Sequence, residues 1–178
     1  MTEWLSVFWT SKTFNGGKQH GNVLNDNVIY ETENFVVGVP KITHIPREDG
    51  GHIWIRPKEK FFSSRLDLSS KEAIEVMRLT MLISESMIEG MKNRNIIIER
   101  INYQENGNWA YLNGNKPVFH IHLYGRTKNS KTQTWGEALS FPNKKSEFYD
   151  NFESLNNDDI KEIKSQIFLL ESCVKLYN

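Results

Sequence analysis

The sequence predicts an α+β fold with a mainly antiparallel sheet of five strands and two main helices. Two observations carry this. Two stretches rich in β-branched and aromatic residues fold about turn residues as hairpins, and two longer stretches place apolar residues at helical spacing. They alternate as strands, helix, strands, helix, in a chain of 178 residues that is long enough for one core.

Residues 1–27 form an expected N-terminal arm: Trp4, Leu5, Val7, Phe8 and Trp9 precede a polar, glycine-containing run. Those aromatic residues are expected to dock on the domain or on a partner chain. "VIYETENFVVGVP" reads as the first hairpin, ended by Pro40. Gly50 and Gly51 break the chain before a short strand at 52–55, which Pro57 closes. The next segment is a helix, with Ile74, Met77, Met81 and Ile88 on its apolar stripe and Val76, Leu79 and Ile83 widening it. Ser69 and Glu72 make a capping box at its start, and Gly90 and Asn93 mark its expected end. "IIIERINYQ" and "PVFHIHLYG" are the strands of a second hairpin, joined by the turn-rich "ENGNWAYLNGNK". The last helix starts near Asn157, where Asp158 and Asp159 suit the positive end of its dipole. The expected divisions are therefore an arm at 1–27, a domain at 28–145 and a C-terminal helical extension packed on it at 146–178.

Composition narrows the function. Lys plus Arg and Asp plus Glu both total 22, so no concentrated basic surface suits a nucleic-acid backbone. The single Cys173 leaves no intramolecular disulfide and no zinc site built on several cysteines, which fits a reducing cytoplasm. "MTEWLSVFW" reads as neither a signal peptide nor a membrane span.

The chemistry concentrates in "PVFHIHLYGR", residues 117–126. Strand alternation puts Phe119, Ile121 and Leu123 on a core face and His120, His122 and Tyr124 on the opposite face, open to a pocket or solvent. A neutral imidazole is a competent nucleophile when one ring nitrogen carries the lone pair and the other donates a hydrogen bond that fixes the tautomer. Two such histidines are also common metal ligands, but no third ligand is evident nearby in sequence, and two partly buried structural histidines are the plain alternative.

Taken with its surroundings, this stretch resembles the histidine-triad superfamily of nucleotide hydrolases and transferases. "VIYETENFVVGVP" is similar to that family's first hairpin, "GGHIWIRPKE" to its glycine-histidine strand ending in Pro-Lys, and "DLSSKEAIEVMRL" to the helix that follows, in the family's order over residues 28–126. The resemblance implies a histidine-triad-like fold and a histidine nucleophile that attacks the α-phosphorus of a nucleotide ester, anhydride or phosphoramidate, as diadenosine polyphosphate hydrolases do. It implies a metal-independent reaction, no cofactor, a nucleotide or nucleotide-conjugate substrate and a homodimer, while the balanced charge and the lack of a stretch of spanning length lead to the expectation of no nucleic-acid or membrane partner. His120 and His122 are the catalytic candidates. Asn113, Asn115, Lys116, Tyr124 and Arg126 are the substrate-binding candidates, and Trp135 is a candidate wall of the same pocket. His52 matches a histidine that is usually structural.

The family motif has three alternate histidines; here Val118 or Tyr124 stands where one of them would be. If His122 is the third, His120 is the nucleophile and Val118 replaces the first. If His120 is the first, His122 is the nucleophile and Tyr124 stands third. The spacing to Gly125 and Arg126 favours the former. The acidic residue that usually holds the ribose is also missing: Val39, Pro40 and Lys41 occupy that region, and Glu48 or Asp49 would substitute only if their loop folded back. A catalytically weak nucleotide-binding module is the alternative function.

Overall fold

The computed structural model describes residues 28–142 and 147–172. The aromatic arm, Cys173 and the 145/146 boundary lie outside the described residues. Strands β1 (Val28–Glu31), β2 (Phe35–Gly38), β3 (His52–Pro57), β4 (Arg100–Gln104) and β5 (Ile121–Arg126) form one sheet in the order β1-β2-β3-β5-β4. Every neighbouring pair is antiparallel. Two helices, α1 (Ser70–Lys92) and α2 (Asn157–Glu171), complete the α+β architecture expected from the sequence.

The hairpins form because their turns have partners. Thr32 N–H donates to Phe35 O at 2.9 Å, and Glu75 of α1 accepts from Thr32 Oγ1 and from the Asn34 side chain, each at 2.6 Å. The second hairpin is shorter than its apolar run suggests. The chain leaves α1 through Asn95 at φ 61°, in the left-handed region that Asn tolerates, and β4 begins only at Arg100. At the other arm, Phe119 N–H donates to Phe62 O rather than to β4, so β5 begins at Ile121.

The Ser69–Glu72 capping box is present, with Ser69 Oγ accepting from the Glu72 amide and the Glu72 carboxylate accepting from the Ser69 amide. The buried face of α1 departs from expectation. Val76, Leu79, Ile83, Met87 and Met91 join the core, while Ile74, Met77 and Met81 are 57%, 59% and 48% exposed. The helix carries two apolar stripes, and packing against the sheet and α2 selects one. Gly90 lies within the helix rather than at its end: a Cβ there would stand 2.9 Å from the Ile163 backbone nitrogen, so Gly90 lets α2 cross closely. Leu155, Ile163 and Ile167 belong to the same core cluster as the sheet.

At the start of α2, Asp159 does more than meet a helix dipole. It is fully buried and takes a bidentate pair from Arg47, with Nε and Nη2 both at 2.8 Å, plus Arg94 Nε at 3.3 Å and the Asn156 amide at 3.0 Å. This ties α2 to the loop before β3. No helix among the described residues is long and apolar enough to cross a membrane.

Candidate active site

One face of the sheet carries α1; the other carries the site. Cross-strand register aligns His52 with Tyr124 and Trp54 with His122, while β4 sets Asn102 beside Tyr124 and Gln104 beside His122. Phe119, Ile121 and Leu123 are buried in the core, as alternation predicts. The opposite face is less open than expected, for His122 and Tyr124 are also buried, and only His120 remains partly exposed.

The histidines are linked by short hydrogen bonds. His52 Nε2 lies 2.8 Å from His122 Nδ1, and His44 Nδ1 lies 2.8 Å from the Tyr124 hydroxyl. The backbone N–H of His44 donates to His52 Nδ1 at 3.4 Å. That contact assigns the His52 proton to Nε2, which then donates to His122 Nδ1 and leaves the His122 proton on Nε2. His120 Nδ1 lies 2.7 Å from Val118 O. A carbonyl only accepts, so Nδ1 is the protonated nitrogen of neutral His120 and its lone pair sits on Nε2.

Burial is the main cause that keeps these rings neutral. It pushes His52 and His122 well below the ordinary histidine range, with neighbouring imidazoles adding to the effect. His120 is lowered too, by burial first; its bond to Val118 and the charge of Glu105 oppose the shift, and the charge of Arg56 adds to it. The Tyr124 hydroxyl is raised, again mainly by burial.

These shifts set a pH response. The unfolded chain protonates His52 and His122 near pH 6.5, whereas the folded chain resists, so stability is full above that pH and falls below it. Below pH 6.5 the two together are expected to remove up to about 2.7 kcal/mol per pH unit, until the folded rings themselves titrate. Urea midpoints measured from pH 7.5 to 5.0 check this; a flat profile would contradict buried neutral histidines.

His44, unassigned by the sequence, completes the cluster. Its ring stacks on His52 with centroids 5.0 Å apart and contacts Trp109 at 5.8 Å and Phe141 at 5.5 Å. One ligand nitrogen from each of His44, His52 and His122 falls within 4.8 Å of the others, so the third histidine that a metal site would need is supplied by the fold. The 2.8 Å separation of His52 and His122 is that of a hydrogen bond, since two nitrogens on one tetrahedral zinc stand about 3.3 Å apart. Holding an ion would require those rings to separate.

The remaining candidates scatter. Asn113 ends the 3-10 segment Gly107–Asn113, which brings Trp109 to His44, and its side chain lies outside the described ones. Asn115 is half-buried beyond that turn, and Lys116 is exposed. Buried Gln104 Oε1 and Asn106 Nδ2 close no hydrogen bond among the described residues, although Asn106 faces the Tyr124 hydroxyl. Gln104 follows the β4 register onto the site face, a signal the sequence carried in its hairpin, and Asn106 lies two residues beyond the end of β4. Arg126 is buried and donates to Thr134 O at 2.8 Å and Glu137 O at 3.3 Å, anchoring the loop after β5. That loop turns Phe141, not the exposed Trp135, toward the histidines. The Asp49 carboxylate is engaged with the loop after β5, accepting from Ser130 Oγ, the Lys131 and Thr132 amides and Thr132 Oγ1.

No family model matches the sequence, and no curated protein matches it. Solved structures do. A hypothetical histidine triad nucleotide-binding protein from Sulfolobus tokodaii is similar at 18% identity, over 85% of this chain and 90% of its own, with a TM-score of 0.54. A histidine triad protein from Bradyrhizobium japonicum is similar at 15% identity, over 85% and 96%, with a TM-score of 0.53. A zinc-bound histidine triad family protein from Mycobacterium smegmatis is similar at 16% identity, over 82% and 86%, with a TM-score of 0.50. Across most of its length, the chain therefore has the fold of histidine triad proteins.

Proposed function

We propose that the protein is a nucleotide phosphohydrolase or nucleotidyl transferase that works through His120. The observation that carries this reading is the 2.7 Å contact from His120 Nδ1 to Val118 O, which places the lone pair of a neutral, partly exposed imidazole on Nε2. Nε2 attacks the α-phosphorus; the nitrogen–phosphorus bond forms as the bond to the leaving group breaks, and the leaving group keeps that electron pair. Water then adds to phosphorus, the nitrogen–phosphorus pair returns to Nε2, and the water proton is released. His122, with its proton on Nε2, is the donor beside the phosphoryl oxygens, and Gln104 and Asn106 line the same face. The fold shared with a nucleotide-binding protein supports a nucleotide substrate. Incubation with α-labelled diadenosine tetraphosphate or adenosine phosphoramidate, followed by quenching, is expected to trap label on histidine. Nucleotide binding in calorimetry without adduct or turnover would instead favour a non-catalytic binding module.

A homodimer belongs to the same proposal. Ile74, Met77 and Met81 form an exposed apolar stripe on α1, and edge strand β4 carries half-exposed Tyr103, whose hydroxyl donates to Ser84 of α1 at 2.9 Å. A second copy would cover both. Met77→Asp is expected to shift sedimentation from dimer to monomer without lowering the thermal midpoint of the monomer; a wild-type monomer would refute the dimer.

A further inference from the structure

Arg56 is a cation that the site as described does not use. The β3–β5 register pairs Trp54 with His122 and Ile55 with Ile121, so continuing it by one residue sets Arg56 level with His120. Its guanidinium lies 4.5 Å from the centre of the Trp54 ring. Trp54 is itself pinned, because its indole covers Gly38 so closely that a Cβ there would fall 2.1 Å from the ring. Arg56 and Trp54 thus form a fixed ledge along the face that presents His120.

No carboxylate pairs with Arg56 among the described residues. Three other arginines near the sheet are engaged, Arg65 with Glu105 at 2.8 Å, Arg47 with Asp159 and Arg126 with loop carbonyls, while Arg100 of β4 is exposed to solvent. A half-buried guanidinium without an anion is costly, and the cost is offset when a ligand supplies the anion. Burial depresses Arg56, and its charge in turn bears on His120, which supports their proximity.

We infer that Arg56, resting on Trp54, binds the anionic leaving group of the substrate, so that the site selects nucleoside polyphosphate anhydrides over phosphoramidates. The inference rests on the proposed attack by His120. When Nε2 bonds to the α-phosphorus of an anhydride, the bond to the bridging oxygen breaks and its electron pair stays on the departing polyphosphate. That oxyanion needs a positive charge and no proton. An amine leaving group needs a proton, which a guanidinium does not give up near neutral pH.

The test compares diadenosine tetraphosphate with adenosine phosphoramidate. Arg56→Gln is expected to lower kcat/KM for the former about 100-fold and for the latter by less than about threefold, with Arg56→Lys restoring part of the loss. Equal losses on both substrates, or none, would overturn the leaving-group site while leaving the histidine chemistry intact. Calorimetry with inorganic tripolyphosphate gives a readout without turnover: Arg56→Gln is expected to weaken binding about tenfold at an unchanged thermal midpoint. If wild type cleaves neither substrate yet binds tripolyphosphate through Arg56, the catalytic reading fails and the anion site stands. Binding that is absent or indifferent to Arg56 overturns the site.

Discussion

His120→Ala is expected to abolish the nucleotidyl adduct and to lower turnover by about 10⁴-fold or more, the scale seen when a covalent nucleophile is removed. His122→Ala is expected to leave the adduct detectable and to slow its formation about 100-fold, as loss of one donor to a phosphoryl oxygen does. The difference follows from the two tautomers. His120 bonds to a carbonyl through Nδ1 and carries its lone pair on Nε2, whereas His122 accepts a hydrogen bond at Nδ1 from His52 and carries its own proton on Nε2. His122 is also buried, and an attacking nitrogen must reach phosphorus. Quenched-flow labelling of both variants checks the assignment. An adduct that survives in His120→Ala and disappears in His122→Ala would reverse it.

Asp159→Ala is expected to destabilise the fold by about 3–5 kcal/mol, the range for breaking a buried ion pair from one side. The change leaves Arg47 without its bidentate partner, at a position where the guanidinium is mostly covered. It also removes the acceptor for the Asn156 amide at the start of α2. Burial opposes the charge on Asp159, but the bonds from Arg47 and Asn156 outweigh it and hold the carboxyl below its ordinary range. The stability it contributes is therefore complete above the unfolded value near pH 3.9 and is lost as pH falls through the folded one. Urea unfolding of Asp159→Ala, Arg47→Ala and the double variant measures the pair, with the double expected well short of additive. A cost below about 1 kcal/mol for the single variant would show that α2 is held otherwise.

What could be read from the sequence was mostly local. Ser69 and Glu72 declare a helix start because both partners sit within one turn, and 117–126 shows its two faces because alternation needs no neighbour. The α1 stripe misled for the opposite reason: Ile74, Met77 and Met81 have helical spacing as good as that of Val76, Leu79 and Ile83, and only packing chooses between them. His44 and Arg56 lie far along the chain from His120, so their place in the site depends on strand register and on the path of a loop. Arg56 was within reach of a register argument once β3 was set against β5. His44 was not, because the loop that carries it follows no period; its position depends on Tyr124, His52 and Trp109, from three different segments.

The contact between His120 and Val118 has a consequence for mutational tolerance. The acceptor is a main-chain oxygen, present whatever residue occupies position 118. Substitution there changes a side chain but leaves the proton on the neighbouring ring where it is. The vulnerable element is the course of the chain, held by the bond from the Phe119 amide to Phe62 O at 2.7 Å. A variant that shifts this backbone would disarm His120 with every histidine still in place, a kind of damage that no motif written in side chains would register.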